Sequence, residues 1–156
     1  MSQKLKKLKR ELPAPDDHIG YLIRNLMLGL RQATETAFRQ AGVQLSMTHL
    51  GTLLMIYTDP GLPGAQLAKK MFITAQSMND VLKTLEDGGM VERREHPSNL
   101  RAHCWYITDT GLENLMDSGE YSNAVFEKMQ SQLSKVEKEQ LKDLLKRCIA
   151  GLSFND

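Results

Sequence analysis

Apolar side chains recur every three or four positions along most of this chain, the spacing that places them on one face of an α-helix. The first such stripe follows Pro13-Ala14-Pro15 and predicts a helix through Phe38 or beyond, with Asp16 or Asp17 as its N-cap. Gly42 is expected to end this helix. The members of the stripe are Ile19, Leu22, Ile23, Leu26, Leu30, Ala33 and Ala37. A stripe this long predicts a helix that packs along its whole axis.

Three shorter helices are predicted between residues 46 and 89. Ser46 caps the first, the Gly- and Pro-rich turn 59–64 separates it from the second, and Thr74 caps the third. Gly88 and Gly89 end the third helix. The predicted apolar faces are, in chain order, Leu50, Leu53, Leu54 and Tyr57, then Leu67, Ala68 and Met71, then Met78, Val81, Leu82 and Leu85.

The period of the pattern changes after residue 89. Residues 90–94 and 102–107 predict two short strands, joined by the polar loop 96–101. Alternation places Cys104 and Tyr106 on one face of the second strand, and Trp105 and Ile107 on the other. The sequence does not say which of these faces is inside.

Two further helices complete the chain. Thr108 or Thr110 caps the first, which is predicted to continue to Leu133, bent at Gly119. The stretch from Ser134 to Glu137 is a capping box that opens the last helix. The predicted buried residues of this last helix are Leu141, Leu144, Leu145, Cys148 and Ile149.

This order of elements predicts a mainly α fold with a small β-hairpin. Residues 17–156 form one domain after a basic flexible arm, residues 1–16. Within the domain, residues 46–110 form a winged helix-turn-helix core, flanked by dimerisation helices in 17–42 and 111–156. The stripes of these flanking helices are too extensive for the small core to cover, so we expect an obligate homodimer. The expected dimer contacts are Ile19, Leu22, Leu26, Leu141, Leu145 and Ile149.

Charge is distributed unevenly along the 156 residues, although the net charge is only +1. Residues 1–108 hold 14 Lys+Arg and 10 Asp+Glu, a balance of +4, whereas residues 109–156 hold 6 and 9, a balance of −3. Such a separation suits a protein that turns one basic face to a polyanion. The sequence lacks a secretory signal and a stretch of about 18 apolar residues, so we expect a cytoplasmic protein without a membrane partner.

The polar face of the third short helix suggests duplex DNA as the partner. In a helix-turn-helix the second helix lies in the major groove and its side chains reach the base edges. Gln76 and Asn79 can pair with an adenine edge, and Lys83 suits a phosphate. The hydroxyls of Thr74 and Ser77 can reach bases or phosphates.

The hairpin supplies further candidate DNA contacts. Arg93 and Arg94 flank its start, and Asn99 and Arg101 lie in its loop. An arginine at a hairpin tip can enter the narrow minor groove, where the negative potential is enhanced. A basic hairpin directly after a helix-turn-helix therefore favours double-stranded DNA.

From Ser46 to Gly111 the chain resembles the MarR family of multiple-antibiotic-resistance regulators. The matching stretches are Gln66-Leu67-Ala68, Leu82 to Leu85 leading into Gly89-Met90-Val91-Glu92-Arg93, Arg101, and Ile107-Thr108-Asp109-Thr110-Gly111. With its helical flanks, the resemblance covers about residues 17–152.

The resemblance implies a transcription regulator, more often a repressor, that binds a pseudo-palindromic operator as a homodimer. It also implies a small aromatic or phenolic effector held between the dimer helices and the winged helix. The family's wing arginine corresponds to Arg101. Asn99 departs from the family, which usually has an aspartate at that position, so the residue at 99 supplies no opposite charge to hold the arginine.

Other functions fit the sequence less well. We predict no enzyme, cofactor, catalytic residue or metal site, since the four histidines form no metal-binding motif and no phosphate-binding loop or nucleophile elbow is present. Redox sensing is an alternative, because Cys104 lies near Arg101 and other cations that can lower a thiol pKa. A winged helix that contacts another protein is the second alternative.

Overall fold

The computed structural model describes Ala14, residues 17–96 and residues 99–152, and within these the side chains of all but residues 96 and 99–102. Of the predicted arm, residues 1–16, only Ala14 lies within this range. The elements are α1 (Ile19–Ala41), α2 (Met47–Thr58), α3 (Gly64–Lys70), α4 (Ala75–Asp87), β1 (Val91–His96), β2 (Asn99–Ile107), α5 (Asp109–Met129) and α6 (Lys135–Leu152). The predicted fold class is confirmed: the chain is mainly helical with one antiparallel hairpin.

The hairpin is longer than the sequence predicted. Val91 lies opposite Ile107, Arg93 opposite Trp105 and Glu95 opposite His103, with an irregularity between Glu95 and His96. Since β1 runs to residue 96 and β2 begins at residue 99, the predicted loop 96–101 was too long.

The core lies between α2, α3, α4 and the base of the hairpin. Its fully buried side chains come from all three helices: Leu53, Ile56, Leu67, Met78, Leu82 and Leu85. Each such side chain contributes about 1.5–3 kcal/mol relative to an exposed one. This small core fixes the orientation of α4.

Side-chain caps begin four of the helices as their sequences predicted. Ser46 caps α2, Thr74 caps α4 and Thr108 caps α5. At α6, Ser134 and Glu137 form the predicted capping box, with the Ser134 backbone N–H donating to the Glu137 carboxylate at 2.8 Å. The predicted cap of α1 was wrong: its N-cap is His18, which makes no side-chain capping bond.

Several predicted burials and bounds were wrong. Leu54 and Tyr57 are exposed because α2 buries the face that carries Leu50, Leu53 and Ile56. Val81 is only half-buried. The helix α5 is continuous through Gly119 and ends at Met129, short of Leu133.

Side chains on both faces of β2 are buried near its end, although the sequence did not say which of the two faces is inside. Cys104 is 4% exposed and Trp105 is 9% exposed. The turn before α3 pairs with the edge of this part of β2: Pro63 bridges Cys104, the Gly61 N–H donates to the Trp105 carbonyl at 3.0 Å, and the Trp105 N–H donates to the Leu62 carbonyl at 3.2 Å. Gly61 has φ +87 and passes so close to the Tyr106 hydroxyl that a Cβ would lie 2.9 Å from it.

The terminal helices leave their apolar faces uncovered in one protomer. The helix α6 buries no residue, and Leu141 alone among its predicted dimer contacts is half-buried. Leu26 is 42% exposed and Leu145 is 44% exposed. Cys148 is also exposed, so its predicted place in the core was wrong for the single chain.

Candidate nucleic-acid interface

The helix α4 is anchored by one face and presents the other to solvent. Met78, Leu82 and Leu85 hold it in the core, fully or almost fully buried. Every predicted DNA contact of the helix is exposed on the opposite side: Thr74, Gln76, Ser77, Asn79 and Lys83. This arrangement presents a rigid row of hydrogen-bonding groups, which a groove reader requires.

The five polar residues differ in how free their side chains are. Thr74 and Ser77 bond to each other at the start of the helix. The Asn79 side-chain oxygen lies 3.9 Å from the position that a Cβ on Gly64 would take, so this amide leans toward the start of α3. Gln76 lies in the first turn of α4, the part of a recognition helix that reaches base edges.

The two arginines of β1 lie on opposite faces of the hairpin. The Arg93 Nε is 3.1 Å from a Glu86 carboxylate oxygen and so ties the hairpin to the end of α4. Arg94 pairs with Glu92, and its guanidinium lies 4.3 Å from the centroid of the Tyr106 ring. The sequence grouped these arginines as DNA contacts, but the pleat of the strand separates them.

Both ion pairs are on the surface. Such pairs contribute about 0–1 kcal/mol, so a phosphate can replace either carboxylate at little cost. Arg93 and Arg94 therefore stay candidate DNA contacts, each from its own face of the wing.

Two predicted contacts lie outside the described side chains. Asn99 and Arg101 belong to β2 by their backbone, close to the tip of the hairpin. Their roles remain predictions.

A groove of about 720 Å³ lies between α2 and α5. Its walls are mostly apolar, and its polar groups are Glu120, Ser122 and Asn123. No lysine, arginine or histidine is among the lining residues. These are Met47, Leu50, Gly51, Leu54, Leu115, Met116, Gly119, Glu120, Ser122, Asn123 and Phe126. The family resemblance implied an effector between the dimer helices and the winged helix, but the residues of this groove were not predicted. A signal was present in the sequence, because α2 and α5 each carry a large apolar side chain that the core does not bury. Leu54 and Met116 are both exposed.

The other chemical candidates are not supported by their surroundings. Cys104 is buried, which limits the access of an oxidant to its sulfur. Among residues 17–96 and 99–152 as far as they are described, no group of three His, Cys, Asp or Glu side chains is placed to hold a metal ion. In the same part of the chain, no helix has the length and apolar character needed to cross a membrane.

Comparison with known proteins identifies relatives along most of the chain. The profile of the MarR family matches residues 45–103. The HTH-type transcriptional repressor Rv2887 of Mycobacterium tuberculosis is 35% identical over 98 residues, which cover 63% of this chain and 69% of the repressor.

Solved structures share the fold over nearly the whole described chain. The complex of the Mycobacterium tuberculosis MarR family protein Rv2887 with salicylic acid is 28% identical, with a TM-score of 0.67, and the match covers 86% of this chain and 99% of that one. The transcriptional repressor CouR bound to a 23-mer DNA duplex has a TM-score of 0.77 at 21% identity and covers 86% and 94% of the two chains. CouR comes from Rhodococcus jostii RHA1.

Proposed function

Because this chain belongs to the MarR family of transcription regulators, we propose that it is a cytoplasmic repressor that binds a pseudo-palindromic operator as a homodimer. A small aromatic or phenolic ligand releases it from the DNA. The reading side chains come from α4, and the wing contacts the neighbouring minor groove.

The observation that carries this proposal is the exposed polar face of α4. A helix that only supports a core needs no particular order of polar groups on its solvent side. Here Gln76 and Asn79 can each offer a donor and an acceptor to an adenine edge, while Lys83 lies one to two turns further along to meet a phosphate. The buried opposite face holds these groups in a fixed geometry.

The uncovered apolar faces of α1 and α6 support the dimer. Seven large apolar side chains of α1 are exposed in the single chain: Ile19, Tyr21, Leu22, Ile23, Leu26, Met27 and Leu28. Contiguous apolar surface on this scale marks a site of association. A second copy with the same two helices offers a matching surface, and a two-fold dimer places two α4 helices on one side for two half-sites.

The groove between α2 and α5 supports the ligand. One wall is the first helix of the winged core, and the other is a dimerisation helix, so a bound molecule acts on the angle between them. Apolar walls with a few polar groups fit an aromatic ring that carries a hydroxyl. The relative Rv2887 has a solved complex with salicylic acid.

The test is selection of duplexes from a random-sequence pool by the purified protein, followed by sequencing of the bound fraction. We expect enrichment of a two-fold symmetric site with half-sites about one helical turn apart. A neutral phenol, added at increasing concentration, should release the selected duplex. A protein that enriched no sequence over many rounds would contradict the proposal and favour a role in protein contacts.

A further inference from the structure

Phe72 has the only positive φ of a non-glycine residue in the part of the chain that the structure describes. Its φ is 54°, in the left-handed region that glycine adopts at little cost. A bulky residue is rare in this conformation, and such outliers concentrate at functional sites.

The turn between α3 and α4 imposes this conformation on the residue at position 72. Met71 is the C-cap of α3, the Phe72 N–H donates to the Lys69 carbonyl at 3.3 Å, and the Ile73 N–H donates to the Ala68 carbonyl at 3.1 Å. This pair of bonds is the Schellman motif, in which the left-handed position is usually glycine. The motif therefore needs the backbone geometry but gives no reason for an aromatic side chain.

Packing inside the protomer does not explain the ring either. Phe72 is 58% exposed, whereas its neighbours Met71 and Ile73 are half-buried. Exposure of a large apolar side chain is unfavourable in itself. Phe72 is thus disfavoured both by its backbone conformation and by its contact with water.

Phe72 lies just before the helix that carries the proposed DNA-reading residues. It lies two residues before Thr74, the N-cap of α4, and four before Gln76 in the first turn. The turn and the first residues of the second helix lie together at the mouth of the major groove in a helix-turn-helix. Phe72 is the exposed large apolar residue that directly precedes this part of the chain.

We propose that Phe72 is a DNA contact whose ring packs on apolar atoms at the edge of the major groove in each half-site. This inference rests on the proposed function. Two chemical groups offer such atoms there, the 5-methyl group of thymine and the carbon atoms of the deoxyribose. The contact supplies affinity, and specificity as well where thymine is the partner. It involves no phosphate charge.

The test compares Phe72→Gly, Phe72→Asn and Phe72→Leu with the wild type on the selected operator. Glycine and asparagine both accept the left-handed conformation and both lack the ring, so neither should unfold the protein. We expect the melting temperature of Phe72→Gly to stay level or rise by about 1–4 °C. Both variants should bind the operator roughly tenfold more weakly. Phe72→Leu, which keeps an apolar side chain, should retain most of the affinity.

Salt dependence and a modified operator distinguish the loss of this apolar contact from other causes of weaker DNA binding. Because an apolar contact releases no counterions, the slope of log affinity against log salt should not change in Phe72→Gly. An operator with uracil in place of thymine lacks the methyl groups. If the ring packs on a methyl, this operator should weaken binding by the wild type more than binding by Phe72→Gly. If the ring packs on deoxyribose, the ratio between the affinities of the two proteins should be the same on both operators.

The inference and the proposed function fail in different ways. Equal operator affinity of the wild type and all three variants would overturn the role of Phe72 and leave the DNA-binding function intact. A wild-type protein that preferred no operator would instead remove the proposed function itself.

Discussion

Thr74 and Ser77 are bound to each other at the start of α4: the Thr74 hydroxyl accepts a hydrogen bond from the Ser77 backbone N–H at 3.1 Å, and the two side-chain oxygens lie 2.9 Å apart. Both residues are predicted DNA contacts. Their mutual bond shows that Thr74 first satisfies a backbone donor that the helix would otherwise leave unpaired. One hydrogen of the pair remains available to an acceptor outside the protein.

We predict that Thr74→Ala destabilises the protein by about 1 kcal/mol, because the cap of α4 is lost. Ser77→Ala keeps the Thr74 oxygen as the acceptor of the backbone bond and should cost less. Unfolding in urea, followed by circular dichroism, measures both changes. An equal loss in the two variants would show that the cap does not set the stability of α4.

The sequence predicts the local features of the fold well. The caps Ser46, Thr74 and Ser134 depend on neighbours three residues away, and the apolar spacing of α4 depends on its own period. Each of these signals lies within one turn or one element. The order of the elements then suffices to predict the winged core.

Features that depend on distant contacts were predicted less well. Cys104 and Trp105 lie on opposite faces of β2 and are both buried, which alternation along one strand cannot indicate. The pairing of Pro63 with Cys104 joins residues far apart in the sequence and was not predicted either. Cys148 has the spacing of a core residue but faces a surface that one protomer does not cover. The ion-pair partners of Arg93 and Arg94 also could not be predicted, because they depend on the pleat of β1 and on the position of α4.

The dimer interface yields a second prediction. Leu26→Asp or Leu145→Asp places a charge in the proposed apolar seam, at a cost of several kcal/mol. We expect monomers or unfolded chains in sedimentation equilibrium, whereas Leu145→Met, which conserves volume, should remain dimeric. A folded wild-type monomer at micromolar concentration would contradict the dimer.

The wing yields a third prediction. Arg101→Ala should weaken binding to all duplexes and lower the salt slope by about one for each protomer, since a cation near the phosphates is lost. Asn99→Ala should have a smaller effect, because the amide carries no charge. Filter binding across a range of salt concentrations gives both slopes. Identical curves for wild type and Arg101→Ala would place the wing away from the DNA.

We expect His49, at the start of α2, to contribute to the pH dependence of stability. Its ring nitrogen accepts the Ser46 N–H at 3.1 Å, and burial lowers the pKa of His49 below its ordinary value of 6.5. Below pH 6.5 the unfolded chain therefore takes up a proton that the folded protein does not, so the free energy of unfolding falls as pH decreases. This contribution is fully present above pH 6.5.

His49→Gln removes the titration and keeps a polar side chain suited to a capping box. Between pH 7.5 and 5.5 we expect the melting temperature of this variant to fall less than that of the wild type. Parallel curves for the two proteins would show that His49 does not contribute to the pH dependence.

In our proposal α4 reads the DNA sequence, and its polar residues have different roles. Gln76 and Asn79 are the candidates for base edges, so alanine at either should reduce discrimination by about 1–3 kcal/mol and leave affinity for random DNA little changed. Lys83→Ala should weaken binding to every duplex alike, because a phosphate contact carries no sequence information.

The most direct measurement is fluorescence anisotropy of the selected duplex and a scrambled duplex, titrated with the wild type and these three variants at one salt concentration. We expect the wild-type dimer to bind the selected site at least about 1,000-fold more tightly than the scrambled one. Gln76→Ala or Asn79→Ala should lower the ratio of the affinities for the two duplexes. Lys83→Ala should lower both affinities by about the same factor. If the wild type bound both duplexes with the same weak affinity, and all three variants did so too, the proposal that α4 reads DNA sequence would be contradicted.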